Sequence, residues 1–158
     1  MSIARQLKKY LDKHEAKYRL IKHPHTGSSM ESAEQAHVPG DLLAKGVVVR
    51  RGGEVLVVVL PSDYHIELET LHKLVGEEVV LVPETELSDL FPDCEIGAVP
   101  AIGPAYQLAT IWDPNTSLGK EDLVYFEAGD HENLVRVDGR RFHELMAPAE
   151  RGEFSHHI

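Results

Sequence analysis

A chain of 158 residues, 42% hydrophobic and 27% charged, can form one hydrophobic core, which excludes a disordered or fibrous protein and leaves too little sequence for two ordinary domains. The formal net charge of -10 opposes indiscriminate binding to nucleic acid, because attraction to phosphates needs a basic surface. Cys94 is the only cysteine, which excludes an intramolecular disulfide and a multi-thiolate zinc site, and we expect it to be a buried, inert thiol.

The charge is distributed unevenly along the chain. Residues 1–25 carry seven Lys or Arg side chains against Asp12 and Glu15, whereas residues 54–95 are strongly acidic, with Lys73 as their only Lys or Arg. This segregation permits local contact with a polyanion. A solvated basic face of a helix explains the N-terminal cluster equally well.

No run of sequence approaches the roughly 20 apolar residues that span a bilayer, and the N-terminal sequence lacks the apolar core of a signal peptide. We therefore expect a cytoplasmic protein that does not bind a membrane. The acidic balance also argues against DNA as a partner.

The first part of the chain predicts two helices around one strand. Apolar residues recur at helical spacing over residues 2–15, and residues 18–22 form a short run typical of a strand. Ser28 and Glu31 have the spacing of a capping box, in which both side chains satisfy free amides at a helix start. A short helix through about His37 should follow.

The strongest structural signal is a β-hairpin. Residues 46–51 and 54–60 are β-branched runs separated by Gly52 and Gly53, a pair that favours a tight turn. Both runs are almost continuously apolar, which predicts strands covered on both faces at the centre of a sheet.

Short helices and strands alternate through the remaining sequence. We predict helices over residues 68–75, 85–91 and 140–146, and strands over residues 78–82, 107–112, 122–127 and 133–137. Strands and helices do not alternate in a regular βαβ order. We therefore predict an α/β (α+β) fold, with a mixed, mostly antiparallel sheet flanked by short helices. We place this single domain at residues 1–150 and a polar C-terminal tail at residues 151–158.

Lys45 directly precedes the apolar run of the first hairpin strand. A lysine at the end of a buried strand can pack its aliphatic stem and direct its ammonium group into a cleft, where it would bind phosphate or stabilise developing negative charge. On this pattern alone, a lysine at the end of a strand is more often a charge exposed to solvent than a group directed into a cleft.

Two further segments could contribute to a site. The loop at residues 97–104 contains two glycines and two prolines, so its backbone could approach a ligand closely, or it could be an ordinary connection. Gly129, Asp130 and His131 follow a predicted strand that ends at Glu127. A histidine there suits proton transfer at neutral pH, although these residues are also typical of a simple turn.

Ten histidines raise the question of a metal site. His23 and His25 form one pair and His156 and His157 another, but neither has further ligands at characteristic spacing, so we predict no metal. The chain also lacks a phosphate-binding glycine loop and a Gly-x-Ser-x-Gly elbow, which argues against nucleotide hydrolysis and serine-hydrolase chemistry.

Seven segments together carry a family resemblance through their order and spacing: His23-Pro24, Ser28-x-x-Glu31-Ser-Ala33, Val38-Pro39, Ala44-Lys45-Gly-Val-Val-Val, Gly97-Ala-Val-Pro-Ala-Ile-Gly103, Ala128-Gly-Asp-His131 and Phe142-x-x-Leu145. The chain resembles the YbaK and prolyl-tRNA-synthetase-associated editing-domain family over nearly its whole length. The resemblance implies a mixed, mostly antiparallel sheet flanked by helices. It also implies a free-standing aminoacyl-tRNA deacylase, which cleaves the ester between a wrong amino acid and tRNA.

The resemblance further implies roles for individual residues. Lys45 and His131 would be the catalytic residues, with Lys45 engaging the terminal phosphate or sugar of charged tRNA and His131 lining the pocket. The substrate-binding residues would be Ser28, Gly46, Gly97, Ala98, Val99, Pro100 and Gly103. The expected partners are the aminoacyl-tRNA acceptor end and, as a candidate, an aminoacyl-tRNA synthetase. No cofactor is implied, and the oligomeric state stays open.

The chemistry of such an enzyme follows from the limits of binding selectivity. A synthetase separates amino acids that differ by one methylene by only about 1–3 kcal/mol, so small amino acids of the alanine or cysteine type are expected targets. Water or a sugar hydroxyl would attack the ester, oriented by Lys45 and loop amides, without a covalent enzyme intermediate. Two alternatives are a non-catalytic module that binds an aminoacyl-adenosine end or a partner protein, and a metal-dependent hydrolase that uses the histidines.

Overall fold

The computed structural model describes residues 3–157, which form six α-helices and ten β-strands. The helices are α1 Arg5–Lys13, α2 Ser29–Gln35, α3 Leu68–Val75, α4 Glu84–Leu90, α5 Ser117–Lys120 and α6 Gly139–Leu145. The strands are β1 Arg19–Lys22, β2 Leu43–Arg51, β3 Glu54–Pro61, β4 Tyr64–Ile66, β5 Val79–Leu81, β6 Ala109–Trp112, β7 Leu123–Glu127, β8 Asn133–Asp138, β9 Glu150–Arg151 and β10 Ser155–His157. None of the helices in this part of the chain has the length and apolar character needed to cross a membrane.

Every predicted helix and strand is present, with small differences at the ends. The predicted start of the first helix, at residue 2, lies outside the described residues. The sequence did not predict α5, β4, β9 or β10, because elements of two to four residues are too short to show a periodic pattern.

The main sheet runs in the order β1-β8-β7-β2-β3-β6-β9, and β5 adds a further pairing to β2. Pairing is antiparallel at β1–β8, β8–β7, β2–β3 and β2–β5, and parallel at β7–β2, β3–β6 and β6–β9. A separate antiparallel pair joins β4 and β10. The predicted hairpin therefore lies at the centre of a mixed, mostly antiparallel sheet, which confirms the expected fold class.

Alternate residues of β3 face two different cores, which explains its continuous apolar sequence. Val57 and Val59 belong to the main core with α1 and α6, whereas Leu56, Val58 and Leu60 belong to a second core with α3. All five side chains are at most 1% exposed. Burying each contributes on the order of 1.5–3 kcal/mol, so the hairpin anchors the fold from both faces.

Helix α2 begins where the capping pattern predicts. Ser28 is the N-cap, and its Oγ accepts the backbone amide of Glu31 at 3.2 Å. Glu31 Oε2 accepts the amide of Gly27 at 3.1 Å, one residue before the cap. The helix then covers the sheet through a small third core: Ala33, Leu43 and Leu134.

Residues 151–157, most of the segment that the sequence predicted to be a polar tail, contribute to two strands, and residue 158 lies outside the described residues. Strand β9 pairs with β6, and β10 pairs with β4. Between them, Phe154 is 1% exposed in the second core, and its carbonyl accepts the Glu67 amide at 2.6 Å. The sequence did not predict these contacts, because one apolar residue in a polar segment carries no periodic signal and its contacts are distant in sequence.

Candidate functional site

Strand β2 is paired with β3 along one edge, but the pairing on its other edge is interrupted. On that edge β7 pairs with Leu43 and Ala44, and β5 pairs with residues 49–51. Within the described chain, residues 45–47 therefore have no strand beside them on this edge. The interruption opens the sheet next to Lys45.

Lys45 is half-buried at this opening and is held by backbone oxygens. Its Nζ donates to the Tyr64 carbonyl at 2.8 Å and to the Ser62 carbonyl at 3.3 Å, both near the turn between β3 and β4. Burial lowers the pKa of the Lys45 ammonium group, and the Asp63 carboxylate opposes this shift. An ammonium group has three N–H donors, so one remains available for a ligand.

A cleft of about 320 Å³ adjoins Lys45. It is lined by small or flexible residues with much exposed backbone: Gly27, Ser28, Ser29, Met30, Lys45, Gly46, Ser62 and Gly97. The fold thus brings together four predicted site residues that are far apart in sequence: Ser28, Lys45, Gly46 and Gly97. Two larger grooves, of about 470 and 440 Å³, lie between α1 and the 3-10 turn at Gly103–Tyr106 and contain none of these four.

Gly46 allows the loop at residues 97–103 to lie against β2. A Cβ atom at Gly46 would lie 3.4 Å from Ala101 Cα, 3.6 Å from the Pro100 carbonyl oxygen and 3.2 Å from Val57 Cγ1. A Cβ there would meet the loop backbone at ordinary van der Waals distance and would press only on the Val57 side chain, so Gly46 eases the close packing of the loop, which forms one wall of the cleft.

The other predicted loop residues do not line the cleft. Ala98, Val99 and Pro100 are buried and are not among the residues that line it. Gly103 is buried as well, and a Cβ there would overlap the Thr110 side chain. The buried side chains of Ala98, Val99 and Pro100 and the close packing at Gly103 hold the loop in position, and a role in substrate binding stays a prediction for the backbone groups of these residues.

His131 packs behind Gly97 and is outside the cleft lining. It has a left-handed backbone, with φ of 59°, and is 4% exposed. Its Nε2 donates to the Ile96 carbonyl at 2.5 Å, and a Cβ at Gly97 would lie 3.2 Å from its Cε1. Its Nδ1 is buried and has no hydrogen-bond partner among the described residues. This geometry is suited to holding the loop in place. It is less suited to transferring a proton to or from a ligand in the cleft.

Glu127, which the sequence placed at the end of a predicted strand without a role in the site, is 1% exposed at the end of β7. Its Oε2 accepts the Ser29 hydroxyl at 3.4 Å. Burial raises the pKa of the Glu127 carboxyl to about 7, while hydrogen bonds from Ser32 and Ser29 lower it and the Asp130 charge raises it. The sequence carried no signal for this burial, since it depends on α2 packing over the end of β7.

Cys94 is partly buried and does not line the cleft. Burial raises the pKa of its thiol to about 12, so the thiol is protonated at neutral pH, when it is a poor nucleophile. The C-terminal histidines contact carboxylates instead of each other, with His156 3.5 Å from Glu67 and His157 2.9 Å from Asp63. Residues 3–157 contain no group of three or more His, Cys, Asp or Glu side chains placed to hold a metal ion.

Two solved structures share this fold over nearly the whole chain. The crystal structure of the hypothetical protein APE2540 has a TM-score of 0.80 at 22% identity, covering 96% of this chain and 100% of that chain. A candidate trans-editing enzyme for prolyl tRNA synthetase has a TM-score of 0.79 at 19% identity, covering 97% of this chain and 96% of that chain. At these identities the likeness shows the fold alone.

Sequence comparison is more specific about the family. No curated protein matches the chain. The family model of the aminoacyl-tRNA editing domain matches residues 23–145, a span that contains every residue of the cleft lining and most of the chain. The protein therefore belongs to the aminoacyl-tRNA editing domain family.

Proposed function

We propose that this protein is a trans-editing aminoacyl-tRNA deacylase, which hydrolyses the ester of a mischarged tRNA carrying a small amino acid of the alanine or cysteine type. The observation that carries the proposal is the cleft beside Lys45. The Lys45 ammonium group, held by a hydrogen bond to the Tyr64 carbonyl, faces walls made largely of backbone. Membership of the editing-domain family supports an aminoacyl-tRNA substrate.

The cleft walls support a small amino acid. Gly46 and Gly97 bring backbone to the surface of the cleft, and both are backed by packed atoms, Ala101 behind Gly46 and His131 behind Gly97. Because the atoms behind these two glycines are closely packed, the backbone cannot move back to make room for a large side chain of the bound amino acid. Selection would therefore work by steric exclusion, which discriminates strongly against larger groups and weakly among small ones.

The proposed reaction needs no covalent enzyme intermediate. Water attacks the ester carbonyl carbon and loses a proton, the bond from that carbon to the ribose oxygen breaks, and the ribose oxygen takes up a proton, so one water is consumed and the free amino acid and tRNA are released. Lys45 would orient the ester and stabilise the negative charge that develops on the carbonyl oxygen. The carbonyls of Ser62 and Tyr64 support this role, because they fix the ammonium group before the substrate binds.

The side chains near the cleft fit this mechanism. The Ser28 hydroxyl caps α2, and the Ser29 hydroxyl is directed at Glu127. Neither serine has a hydrogen bond to a histidine within the described residues. An activated serine nucleophile would need such a base.

The experiment is a measurement of deacylation rates with tRNA charged with alanine, cysteine, serine or proline. Wild type and Lys45→Ala are compared, with Lys73→Ala as the control because Lys73 is an exposed lysine on α3. We expect selective hydrolysis of small amino acids, lost in Lys45→Ala and retained in Lys73→Ala. Wild-type rates equal to the uncatalysed rate across the panel would refute the deacylase and favour a non-catalytic binding module.

The choice of tRNA also follows from the structural comparison. One similar structure is that of a candidate trans-editing enzyme for prolyl tRNA synthetase, so we propose tRNA for proline, mischarged with alanine or cysteine, as the first substrate. A prolyl-tRNA synthetase would then be the candidate partner that supplies it. Hydrolysis of alanine from other tRNAs at the same rate would show that the tRNA body is not recognised.

A further inference from the structure

We propose that Ser29 and Glu127 form a subsite that binds the α-ammonium group of the aminoacyl ester. The inference rests on the proposed function. It adds a second recognition element, which binds a positively charged group of the substrate, whereas Lys45 binds an oxygen that is negative or becomes so. It begins from a buried carboxyl group that the mechanism above does not use.

Ser29 connects Glu127 to the cleft. Ser29 is part of the cleft lining, and its hydroxyl donates to Glu127 Oε2 at 3.4 Å. A hydroxyl has one proton and two lone pairs, so a serine that donates inward keeps its oxygen as an acceptor for the cleft. The group best matched to such an acceptor is a donor, and a cationic donor is matched best of all.

The surroundings of Glu127 contain hydroxyl groups and no paired cation. The Ser32 hydroxyl lowers the pKa of the carboxyl group, and it is itself 2.7 Å from the Thr26 hydroxyl. Glu127 Oε1 is buried and has no hydrogen-bond partner in residues 3–157. A buried carboxylate without a cation is costly, and that cost falls when a cationic ligand binds nearby.

The titratable groups around this subsite do not supply that cation. Asp130, on the turn after β7, adds negative charge. Within residues 3–157, no hydrogen bond or ion pair joins Glu127 to a Lys, Arg or His side chain. A ligand ammonium group is therefore the missing positive partner of the cluster.

The two walls of the cleft then match the two ends of an aminoacyl ester. Lys45 lies on the β2 wall and suits a phosphate or carbonyl oxygen, while Ser29 lies on the α2 wall and suits the ammonium group. This arrangement would orient the ester as well as bind it. It would also favour an aminoacyl ester over an ester of a neutral hydroxy acid.

The test compares two non-hydrolysable ligands of nearly equal size: alanyl-adenosine and lactyl-adenosine, each linked through an amide. The alanyl ligand has an ammonium group where the lactyl ligand has a hydroxyl. The ratio of their dissociation constants, measured by calorimetry, therefore reports the contribution of the ammonium group to binding. We expect wild type to prefer the alanyl ligand by on the order of tenfold or more, as for hydrogen bonds to charged groups. Ser29→Ala and Glu127→Gln should lose the preference, and Ser29→Thr, which keeps a hydroxyl, should retain it.

Two exposed residues provide matched controls, Ser88→Ala on α4 and Glu132→Gln beside the β7–β8 turn. Both should retain the wild-type preference. In wild type the affinity for the alanyl ligand should rise as pH increases through about 7, where Glu127 ionises, and Glu127→Gln should lack this rise. A purely structural role of Glu127 would not produce that difference.

The outcomes separate this inference from the proposed function. Equal binding of the two ligands to wild type, or a preference unchanged in Ser29→Ala, would overturn the inference while deacylation by wild type stands. If wild type binds neither ligand and deacylates no charged tRNA, both the inference and the proposed function are overturned. If Glu127→Gln does not fold, the comparison of Ser29→Ala with Ser29→Thr decides the inference.

Discussion

The ammonium group of Lys45 donates to the carbonyl of Tyr64 at 2.8 Å and thereby joins the centre of the sheet to the turn after β3. The side chain is held where the second edge of β2 has no neighbouring strand. A mobile surface lysine would lose rotamer freedom on binding a ligand, whereas this one is already ordered.

Replacing Lys45 by methionine should lower the rate of deacylation by on the order of 100-fold or more, because a donor to developing negative charge is lost. The melting temperature should change little, since Met fills a similar volume and water can reach the carbonyl of the partly exposed Tyr64, which accepts the shorter of the two hydrogen bonds. Single-turnover rates and thermal unfolding check both expectations. Lys73→Met is the control, and a Lys45→Met rate within twofold of wild type would exclude Lys45 from catalysis.

Gly97→Ala should reduce both stability and activity. The φ of 84° at Gly97 disfavours any residue with a Cβ, at a cost of about 1–2 kcal/mol, and the new methyl group would also press on the His131 ring at 3.2 Å. Gly76 is a matched control, because its φ of 76° imposes the same strain while a Cβ there meets nothing within 4 Å. Chemical denaturation should show a loss in both variants, whereas deacylation should fall only in Gly97→Ala. Equal activity of the two variants would mean that the contact with His131 is unimportant.

His131→Ala should lower the deacylation rate more than His131→Asn. Asparagine tolerates the left-handed backbone at this position and can still donate a hydrogen bond, whereas alanine does neither. Because the ring holds the loop in our interpretation, the pH dependence of the rate should keep its shape in both variants. Loss of one limb of the pH–rate profile in His131→Asn would instead identify His131 as a proton-transfer group.

Glu127→Gln should change how stability depends on pH. The folded-state pKa of Glu127 is raised to about 7 from 4.5, so between these values the folded protein keeps a proton that the unfolded chain has released. Stability of the wild type should therefore fall as pH rises from about 5 to 8, by roughly 2–3 kcal/mol from this residue. When the free energy of unfolding is measured by urea denaturation at about pH 5 and pH 8, Glu127→Gln should not show this fall. Glu132→Gln should behave as wild type. A parallel pH dependence in wild type and Glu127→Gln would refute the raised pKa.

Phe154→Ala should destabilise the fold by about 3–5 kcal/mol, as expected for a fully buried aromatic residue. Leu81→Ala provides the contrast, since Leu81 is 63% exposed and its loss should cost less than about 0.5 kcal/mol. A chain that ends at residue 150 should be less stable still, because it also loses β10. Full stability of the shortened chain would restore the domain boundary that the sequence suggested.

Local sequence patterns were sufficient for most of the secondary structure and for part of the site. The apolar runs of β2 and β3 predicted the central hairpin because strands buried on both faces need apolar residues at every position. Ser28 predicted the start of α2 because capping involves only neighbouring residues. Lys45 and the loop that contains Gly97 were candidates from the sequence pattern, Gly46 was added by the family resemblance, and the fold brings all three to one cleft.

The sequence by itself determined the fold class, the central hairpin and the residue types available to the site, since these depend on periodicity and on interactions along the chain. Only the tertiary structure decided that the edge of β2 is open beside Lys45, that Glu127 is buried under α2 and that Phe154 fills the second core. Each of these depends on segments that are distant in sequence. Burial and strand pairing are properties of those long-range contacts, so no local pattern could encode them.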